Sequence, residues 1–311
     1  MRVASSMFPN TLASQLNLLE AKQLQLQTQA ATGQRVRNPE DDPAAVRRVL
    51  DMQAESRTLA QYQSNIAKLQ SQATTSYDSI SALQKISSRI GEIATLADGT
   101  KSQQDLNAYA TEVGQLIQQA AGLANSKFNG GYLFGGTLSD QPPFVVSTNS
   151  DGHVTSVTYQ GNTSVAASEI ATGATVSAQT LGANTTGSGP TGLITDSRTG
   201  ADFFNHMIAL QNDLLAGNTA NIANTLNGQL TKDDDNFTYQ IATNAALQAR
   251  LDAETSIASS RAAMLSKQIS GEADADLSQT LVQLNETQTA YQAALQSGAK
   301  ILSLSLLDYL Q

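Results

Sequence analysis

The sequence predicts a mainly α-helical protein with a β insert: a long antiparallel coiled-coil rod formed by the paired N- and C-terminal segments, plus a small outward β domain. Apolar residues recur at alternating steps of four and three near both ends of the chain, which is the repeat of a coiled-coil seam. Only 14% of the 311 residues are charged, against about 25% in an average globular domain. Surfaces of this kind are easily desolvated, which favours assembly over catalysis.

The first helix is predicted over residues 10–32, with Asn10 or Thr11 as its N-cap. Gly33 stands where a glycine ends a helix in the left-handed conformation. The two terminal seams carry almost no charge, so each is expected to face the other. The N-terminal seam consists of Leu12, Leu16, Leu19, Gln23, Leu26, Ala30 and Gly33.

A short loop leads to the second helix. Aspartate is a favoured N-cap and proline a favoured first helical residue, so Asp42-Pro43 predicts its start. The helical repeat then continues to Asp98-Gly99. At 1.5 Å per residue such a helix is roughly 80 Å long, which is typical of a rod. A third helix is predicted over residues 102–126.

The middle of the chain changes character. From Phe144 to about Thr195, short runs of β-branched residues alternate with turn signals such as Ser150-Asp151-Gly152. The polar, glycine-rich segment 182–192 is predicted to be a mobile loop.

The helical repeat returns at Ala201 and stops at Gly217-Asn218. A further long helix is predicted from about residue 236 to residue 270, with an interruption at Gly271. The terminal seam follows it and consists of Leu277, Leu281, Leu284, Gln288, Tyr291, Leu295, Gly298 and Leu302.

This pattern predicts three regions. Residues 1–42 and 272–311 form the terminal coiled coil, residues 43–136 and 200–271 form the long-helix rod, and residues 137–199 form the β-rich outer domain.

The last helical turns are apolar on nearly every face, and a helix that is apolar all round must be buried all round. Burial among neighbouring subunits is favoured over burial in a larger monomer, because the rod has no globular core to receive this helix. The predicted intersubunit residues are Leu12, Leu16, Leu19, Leu26, Leu277, Leu281, Leu284, Tyr291, Leu295, Leu302, Leu306 and Leu310.

Composition argues against several functions. The net charge of −9 disfavours nucleic-acid binding, and the chain has no Cys. No apolar run approaches a membrane span, and no cleaved signal peptide is expected. His153 and His206, the only histidines, show no catalytic or metal-ligand spacing. The run Asp233-Asp234-Asp235 lacks the spacing of a calcium loop, and it is interpreted as an acidic helix start. No catalytic residue, metal or cofactor is predicted.

Three segments carry a family resemblance. Residues 27–36, followed by residues 40–45 with Asp41, Asp42 and Pro43, resemble the N-terminal signature of the bacterial flagellin superfamily, and Gly33 lies within it. The Leu- and Gln-rich C-terminal helix resembles that of the same superfamily. Residues 129–137 and 157–162, together with the ending 302–310, are similar to its hook–filament junction family.

The resemblance implies a structural adaptor of the flagellum, exported through the flagellar type III channel. The implied partners are further copies in a homo-oligomeric ring, the first hook-associated protein, flagellin, and an export chaperone before secretion. The terminal helices of such an adaptor would line an inner tube, and the β domain of the adaptor would face outward.

Three alternatives remain open. Flagellin itself would self-polymerise into long filaments, whereas a junction protein stops at one ring. A secreted enzyme would need a catalytic site in the insert. A cytoplasmic coiled-coil signalling rod would carry abundant charge beside its seams.

Overall fold

A computed structural model describes the backbone of residues 4–309 and the side chains of residues 10–300. The chain divides into two compact units. The terminal unit comprises Met1–Thr58 and Ser260–Gln311, and the main unit comprises Leu59–Ser259.

Helices dominate the fold, as predicted, and they begin and end close to the helix-start and helix-end signals in the sequence. They are α1 (Ala4–Thr32), α2 (Pro43–Leu96), α3 (Gln103–Ala124), α4 (Phe203–Ala216), α5 (Thr219–Asn221), α6 (Asn227–Ala273) and α7 (Leu277–Tyr309), with a π-helical turn at Ile222–Leu226 between α5 and α6. Among the helices of residues 4–309, none is long and apolar enough to cross a membrane.

The helix ends confirm some expectations and correct others. Gly33 ends α1 with a φ of +70°, and Gly217 ends α4 with a φ of +69°. Asp42 Oδ1 accepts the N–H of Ala45 at 3.0 Å, which caps α2 as predicted. The N-cap expected at Asn10 or Thr11 is wrong, because α1 already begins at Ala4.

The main unit contains the hydrophobic core. One cluster joins the C-terminal half of α2 to α3, α4 and the start of α6, with Phe134, Phe203 and Phe237 fully buried in it. The helical repeat predicted along α2 is confirmed by a stripe of buried residues. They are Ile66, Leu69, Ala73, Ser76, Ile80, Leu83, Ser87, Ile90, Ala94 and Ala97.

Short strands fill the segment between α3 and α4. They are β1 (Lys127–Phe128), β2 (Gly131–Tyr132), β3 (Phe144–Thr148), β4 (Val154–Tyr159), β5 (Ser168–Ala171), β6 (Ala174–Val176), β7 (Leu181–Asn184), β8 (Gly192–Asp196) and β9 (Ala201–Asp202). The first six strands form three antiparallel pairs. In the remaining sheet, β8 pairs in parallel with β7 and antiparallel with β9.

The prediction of a mobile loop over residues 182–192 is wrong at both ends of that segment. Its first residues form β7, which is buried, and only residues 185–191 connect β7 to β8. The Asn184 side chain organises this connection, because Nδ2 donates to the carbonyls of Ser188 and Pro190 at 2.7 Å each and Oδ1 accepts the N–H of Thr186. The hydrogen bonds of this side-chain amide therefore order a segment whose glycine-rich composition predicts mobility.

Two features of α6 also differ from expectation. The helix is not interrupted at Gly271 but continues to Ala273. The acidic run at residues 233–235 lies inside α6 and not at its start, and Asp233 is buried. A single glycine destabilises a helix by only about 1 kcal/mol, so this helix of 47 residues continues through Gly271.

Candidate subunit interface in the terminal unit

The two terminal helices, α1 and α7, pack against each other in antiparallel directions. At one end, a methyl group on Gly298 would collide with Leu12 Cδ2, so the Leu12 side chain of α1 packs directly against the backbone of α7 there. At the other end, Gln34 pairs with Asp274 in an isolated antiparallel bridge. This is the pairing of terminal segments that the two apolar seams predict.

α1 presents the face that the sequence predicts. Along this helix, Leu26 is fully buried, and the other predicted leucines, Leu12, Leu16 and Leu19, are half-buried. The face opposite them carries polar residues together with the exposed Leu18 and Leu24.

α7 presents a different face from the predicted one. The side of α7 that is shielded within the subunit carries Thr280, Leu284, Thr287, Tyr291, Ala294 and Gly298. At about 100° per residue, this face is rotated by roughly 50° from the predicted seam. Leu284 and Tyr291 lie on both faces, but Leu277, Leu281 and Leu295 lie on the flank, 45–50% exposed. We call these three residues the α7 flank.

Of the predicted intersubunit residues, three lie beyond the described side chains. Leu302 and Leu306 are in α7, but only the backbone of that stretch is described, and Leu310 lies outside the described residues.

A loop between α1 and α2 closes over the junction between α6 and α7. The N–H of Arg35 donates to the carbonyl of Ala273 at 2.7 Å, and the carbonyl of Gly33 accepts the N–H of Ala275 at 2.8 Å. Because the chain turns at Gly33 with a positive φ, its carbonyl is free to accept this bond. These backbone hydrogen bonds therefore tie the end of α1 to the junction between α6 and α7.

Aspartates fix the conformation of this loop. Asp41 Oδ2 accepts the N–H groups of Asn38 and Arg37, and these bonds hold the pKa of Asp41 below its ordinary value. The N–H of Ala45 and the guanidinium of Arg35 act on Asp42 in the same direction. The loop between α1 and α2 therefore depends on three of the predicted signature residues, Gly33, Asp41 and Asp42.

Sequence reasoning missed Glu272, the residue that binds this loop to the end of α6. Its carboxylate accepts two hydrogen bonds from Arg48, from Nε at 3.0 Å and from Nη2 at 2.8 Å, and its carbonyl accepts Arg35 Nη2 at 2.7 Å. Arg48 holds the pKa of Glu272 below its ordinary value of 4.5. Only the distance of 224 residues between the pair concealed it from a reading of the sequence.

The terminal unit has very little core of its own. Among its described side chains, the buried apolar ones are Leu26, Val36, Ala45 and Leu265. All other buried apolar side chains that the structure describes belong to the main unit. Burial of apolar area is the main favourable term in folding, so this unit is weakly stabilised by itself.

Exposed apolar side chains are concentrated in the same unit. They are Leu18 and Leu24 on α1, Leu50 on α2, Met264 on α6, and Leu277, Leu281, Val282 and Leu295 on α7, with exposed fractions between 45% and 72%. An exposed apolar surface of this kind marks a site of protein–protein contact. The terminal unit is therefore the candidate functional site, and its chemistry is that of an interface.

A metal centre is not found among the described residues. They contain no group of three or more His, Cys, Asp or Glu side chains that could hold a metal ion. His206 has a partner that sequence reasoning missed, since its Nδ1 lies 2.7 Å from Asp233 Oδ2. This pair is buried in the main unit between α4 and α6.

Comparison with known proteins gives a consistent result. Residues 3–139 match the family described as the bacterial flagellin N-terminal helical region. Over 166 residues the chain is 30% identical to flagellar hook-associated protein 3 from Salmonella typhimurium, an alignment that covers 51% of each protein. The chain thus spans about half the length of the curated relative that it matches.

Solved structures share the fold. The chain is similar to a structure from Vibrio parahaemolyticus assigned as a flagellar hook-associated protein, with a TM-score of 0.63, 20% identity, and 75% of this chain and 100% of that one covered. It is also similar to FlgL from Bacillus cereus, with a TM-score of 0.56, 18% identity, and coverage of 71% and 99%. FlgL from Xanthomonas campestris gives a TM-score of 0.55 at 15% identity, with coverage of 70% and 98%.

Proposed function

We propose that this chain belongs to the bacterial flagellin superfamily and is the structural subunit that joins the flagellar hook to the flagellin filament. In this proposal it forms a homo-oligomeric ring between the first hook-associated protein and flagellin. It reaches that extracellular position by flagellar export, and a chaperone covers its C-terminal helix beforehand. It acts by binding and carries out no reaction.

One observation carries the proposal. The terminal unit combines a very small core with exposed leucines on α1 and α7, so its apolar surface is unshielded within one subunit. Burying that surface against neighbours would contribute roughly 25 cal/mol per Å², a term that the isolated unit lacks. A protein built to assemble through its ends has this property, whereas a self-contained monomer does not.

The residues divide into two groups under this proposal. Leu12, Leu16, Leu19 and Leu26 hold α1 to α7 inside each subunit, and the α7 flank contacts the neighbouring subunit. The three regions predicted from the sequence, with the terminal coiled coil innermost and residues 137–199 outermost, are part of the same proposal.

Deletion of the gene tests the function. The deletion strain is expected to form hooks but to lose its filaments and release flagellin into the medium, and the intact gene should restore motility. Normal filaments in the deletion strain would remove the junction assignment. Long filaments formed by the purified protein on seeding would support the alternative, a flagellin.

A matched pair of variants tests the interface. Leu281→Glu places a charge on the α7 flank, and Leu138→Glu changes an exposed leucine in the main unit. We expect Leu138→Glu to restore motility to the deletion strain and Leu281→Glu to fail, although both proteins keep the circular dichroism of the intact chain. Equal restoration by both variants would show that the α7 flank is not an interface.

A further inference from the structure

The main unit carries a second stripe on α6 that the described residues of the subunit leave exposed. The inner seam of α6, with Phe237, Asn244 and Leu251, is buried against the rest of the main unit. The outer stripe repeats at alternating steps of four and three, the spacing of a coiled-coil contact. It consists of Tyr239, Thr243, Ala246, Arg250, Ala253 and Ile257, and all six are exposed.

The composition of this outer α6 stripe resembles that of a protein–protein contact. Tyr239 and Ile257 are 52% and 63% exposed, and tyrosine and arginine are the residue types enriched at energetically important interface positions. The first four residues of the stripe also form one wall of an open groove of 680 Å³, and no acidic residue lines that groove. Arg198, at another side of the groove, is paired with the buried Asp196. Arg250 has no hydrogen bond or ion pair among the described residues, so it is the unpaired cation of the groove.

A complementary stripe lies on α2 of the same unit. It repeats with the same spacing, and its six residues are small apart from a single acid. They are Ala60, Ser64, Ala67, Ser71, Thr74 and Asp78, all exposed. Within the described part of the chain, the Asp78 carboxylate also has no hydrogen bond or ion pair.

Three hydroxyl groups of the two stripes can be buried at little polar cost. The Ser71 hydroxyl donates to the carbonyl of Ala67 and the Thr74 hydroxyl to that of Gln70, each at 3.0 Å. On α6, the Thr243 hydroxyl donates to the carbonyl of Tyr239 at 2.9 Å. Since these donors are already satisfied by their own helices, a covering helix would leave none of them unpaired.

From this complementarity we infer that the outer α6 stripe of one copy packs against the outer α2 stripe of a second copy, with Arg250 paired to Asp78. The contact joins two different surfaces, so it propagates from copy to copy, and it closes into a ring where the rotation between neighbours closes. The inference rests on the proposed function in one respect: it takes the assembly to contain copies in the same orientation.

The direction of the helices sets the register. Within one chain, α2 and α6 are antiparallel, since Gln84 bonds to Thr238 and Gln70 bonds to Asp252. Copies in the same orientation therefore bring α2 of one chain antiparallel to α6 of the next. With Asp78 opposite Arg250, Thr74 faces Ala253.

Cysteine crosslinking tests this register, because the chain contains no native Cys. We expect the variant with both Thr74→Cys and Ala253→Cys to form covalent dimers and higher ladders under oxidation. A matched control carries Asp151→Cys, in an exposed β turn, together with Ala253→Cys, and it should form far fewer. Equal crosslinking in the two variants, or none in either, would overturn the inference.

Charge exchange tests the pairing itself. Arg250→Glu or Asp78→Lys alone places like charges together and should weaken self-association by at least about tenfold, measured by sedimentation. The double variant should recover most of the loss, whereas Asp151→Lys should change little. Single variants that associate as well as the native chain would overturn the inference. In that case, a loss of association in Leu281→Glu would leave the proposed function standing, and an unchanged Leu281→Glu would count against both.

Discussion

His206 Nδ1 lies 2.7 Å from Asp233 Oδ2, although 27 residues separate the two in sequence. The Asp233 side chain is completely buried, and Asp233 Oδ1 accepts the N–H of Asp202 at 2.8 Å. Asp202 is the N-cap residue of α4, and its own side chain makes no capping bond. A carboxylate on α6 therefore caps α4 from outside, where the helix dipole favours a negative charge.

Removing His206 is predicted to be costly and pH-dependent. Burial raises the pKa of Asp233 above its ordinary value of 3.8, and the hydrogen bond from His206 counteracts that rise. In His206→Leu the pKa of Asp233 therefore rises further, and stability is lost as the pH increases through it. Near neutral pH the loss should be about 3–5 kcal/mol, the usual effect of leaving one partner of a buried pair alone. Urea unfolding measured from pH 4.5 to pH 8 checks this.

Asp233→Asn is the control for this pair. The amide oxygen can still accept the N–H of Asp202, and a neutral His206 can accept from the amide nitrogen through its other tautomer. We expect a smaller loss with little pH dependence. Equal, pH-independent losses in the two variants would show that Asp233 is not held as a charge by His206.

The sequence could not reveal this pair, for a physical reason. Asp233 stands among two other aspartates, and a run of acids is normally a solvated surface. Which of the three turns inward depends on the helical phase of α6, which begins at Asn227 after a π-helical turn. A shift of one residue in that phase would bury a different side chain.

Gly298 is predicted to be indispensable for close packing of α7 on α1. Alanine normally stabilises a helix by about 1 kcal/mol relative to glycine, but at position 298 its methyl group would collide with Leu12. Gly298→Ala should therefore gain nothing or lose stability. The gain should return when Leu12→Ala is added. Thermal melting of the assembled form, followed by far-ultraviolet circular dichroism, measures the effect.

Gly271→Ala is the matched control in the same unit. A methyl group there meets no atom within 4 Å, and the residue lies inside α6. It should raise helix stability by about 0.5–1 kcal/mol. If Gly298→Ala gave the same gain, the close approach of α1 and α7 at Leu12 would be wrong.

Glu272 is predicted to hold the loop between α1 and α2 in a pH-dependent manner. Its pKa is lowered by Arg48, so its contribution to stability is present above pH 4.5 and is lost as the pH falls through the lowered value. Glu272→Gln should accelerate amide exchange at Arg35, Val36 and Ala275 at neutral pH, and the difference from the native chain should shrink in acid. A salt titration should reduce the same difference, because both side chains are partly exposed. Unchanged exchange at these amides would show that the ion pair does not hold the loop.

The architecture was predictable where one strong pattern decides it. The buried stripe of α2 follows a repeat that few other arrangements satisfy, and Asp42-Pro43 and Gly33 are strong helix-end signals. The face of α7 was not predictable, because Leu277, Leu281 and Leu295 offer a better apolar stripe than the one that is shielded. The shielded face instead carries the small residues Thr280, Thr287 and Ala294, which allow close packing, and a pattern of hydrophobicity does not record side-chain size.

For the same reason, the sequence of one chain predicts the interface only in part. A seam read from sequence identifies apolar positions, but it cannot tell which partner covers them. In the structure, Leu284 faces the same subunit and Leu281 is left exposed, although both belong to one predicted stripe. Only the three-dimensional arrangement separates the contact within the subunit from the surface left for a neighbour.

Hydrogen exchange, comparing the dilute chain with its assembled form, tests the central claim most directly. We predict that the core of the main unit, around Ile80 and Phe237, is protected in both samples. Amides of residues 10–32 and 277–300 should exchange quickly in the dilute chain and become protected on assembly. Full protection of both terminal segments in the dilute chain would contradict the account, since it would mean that this unit is stable without neighbours.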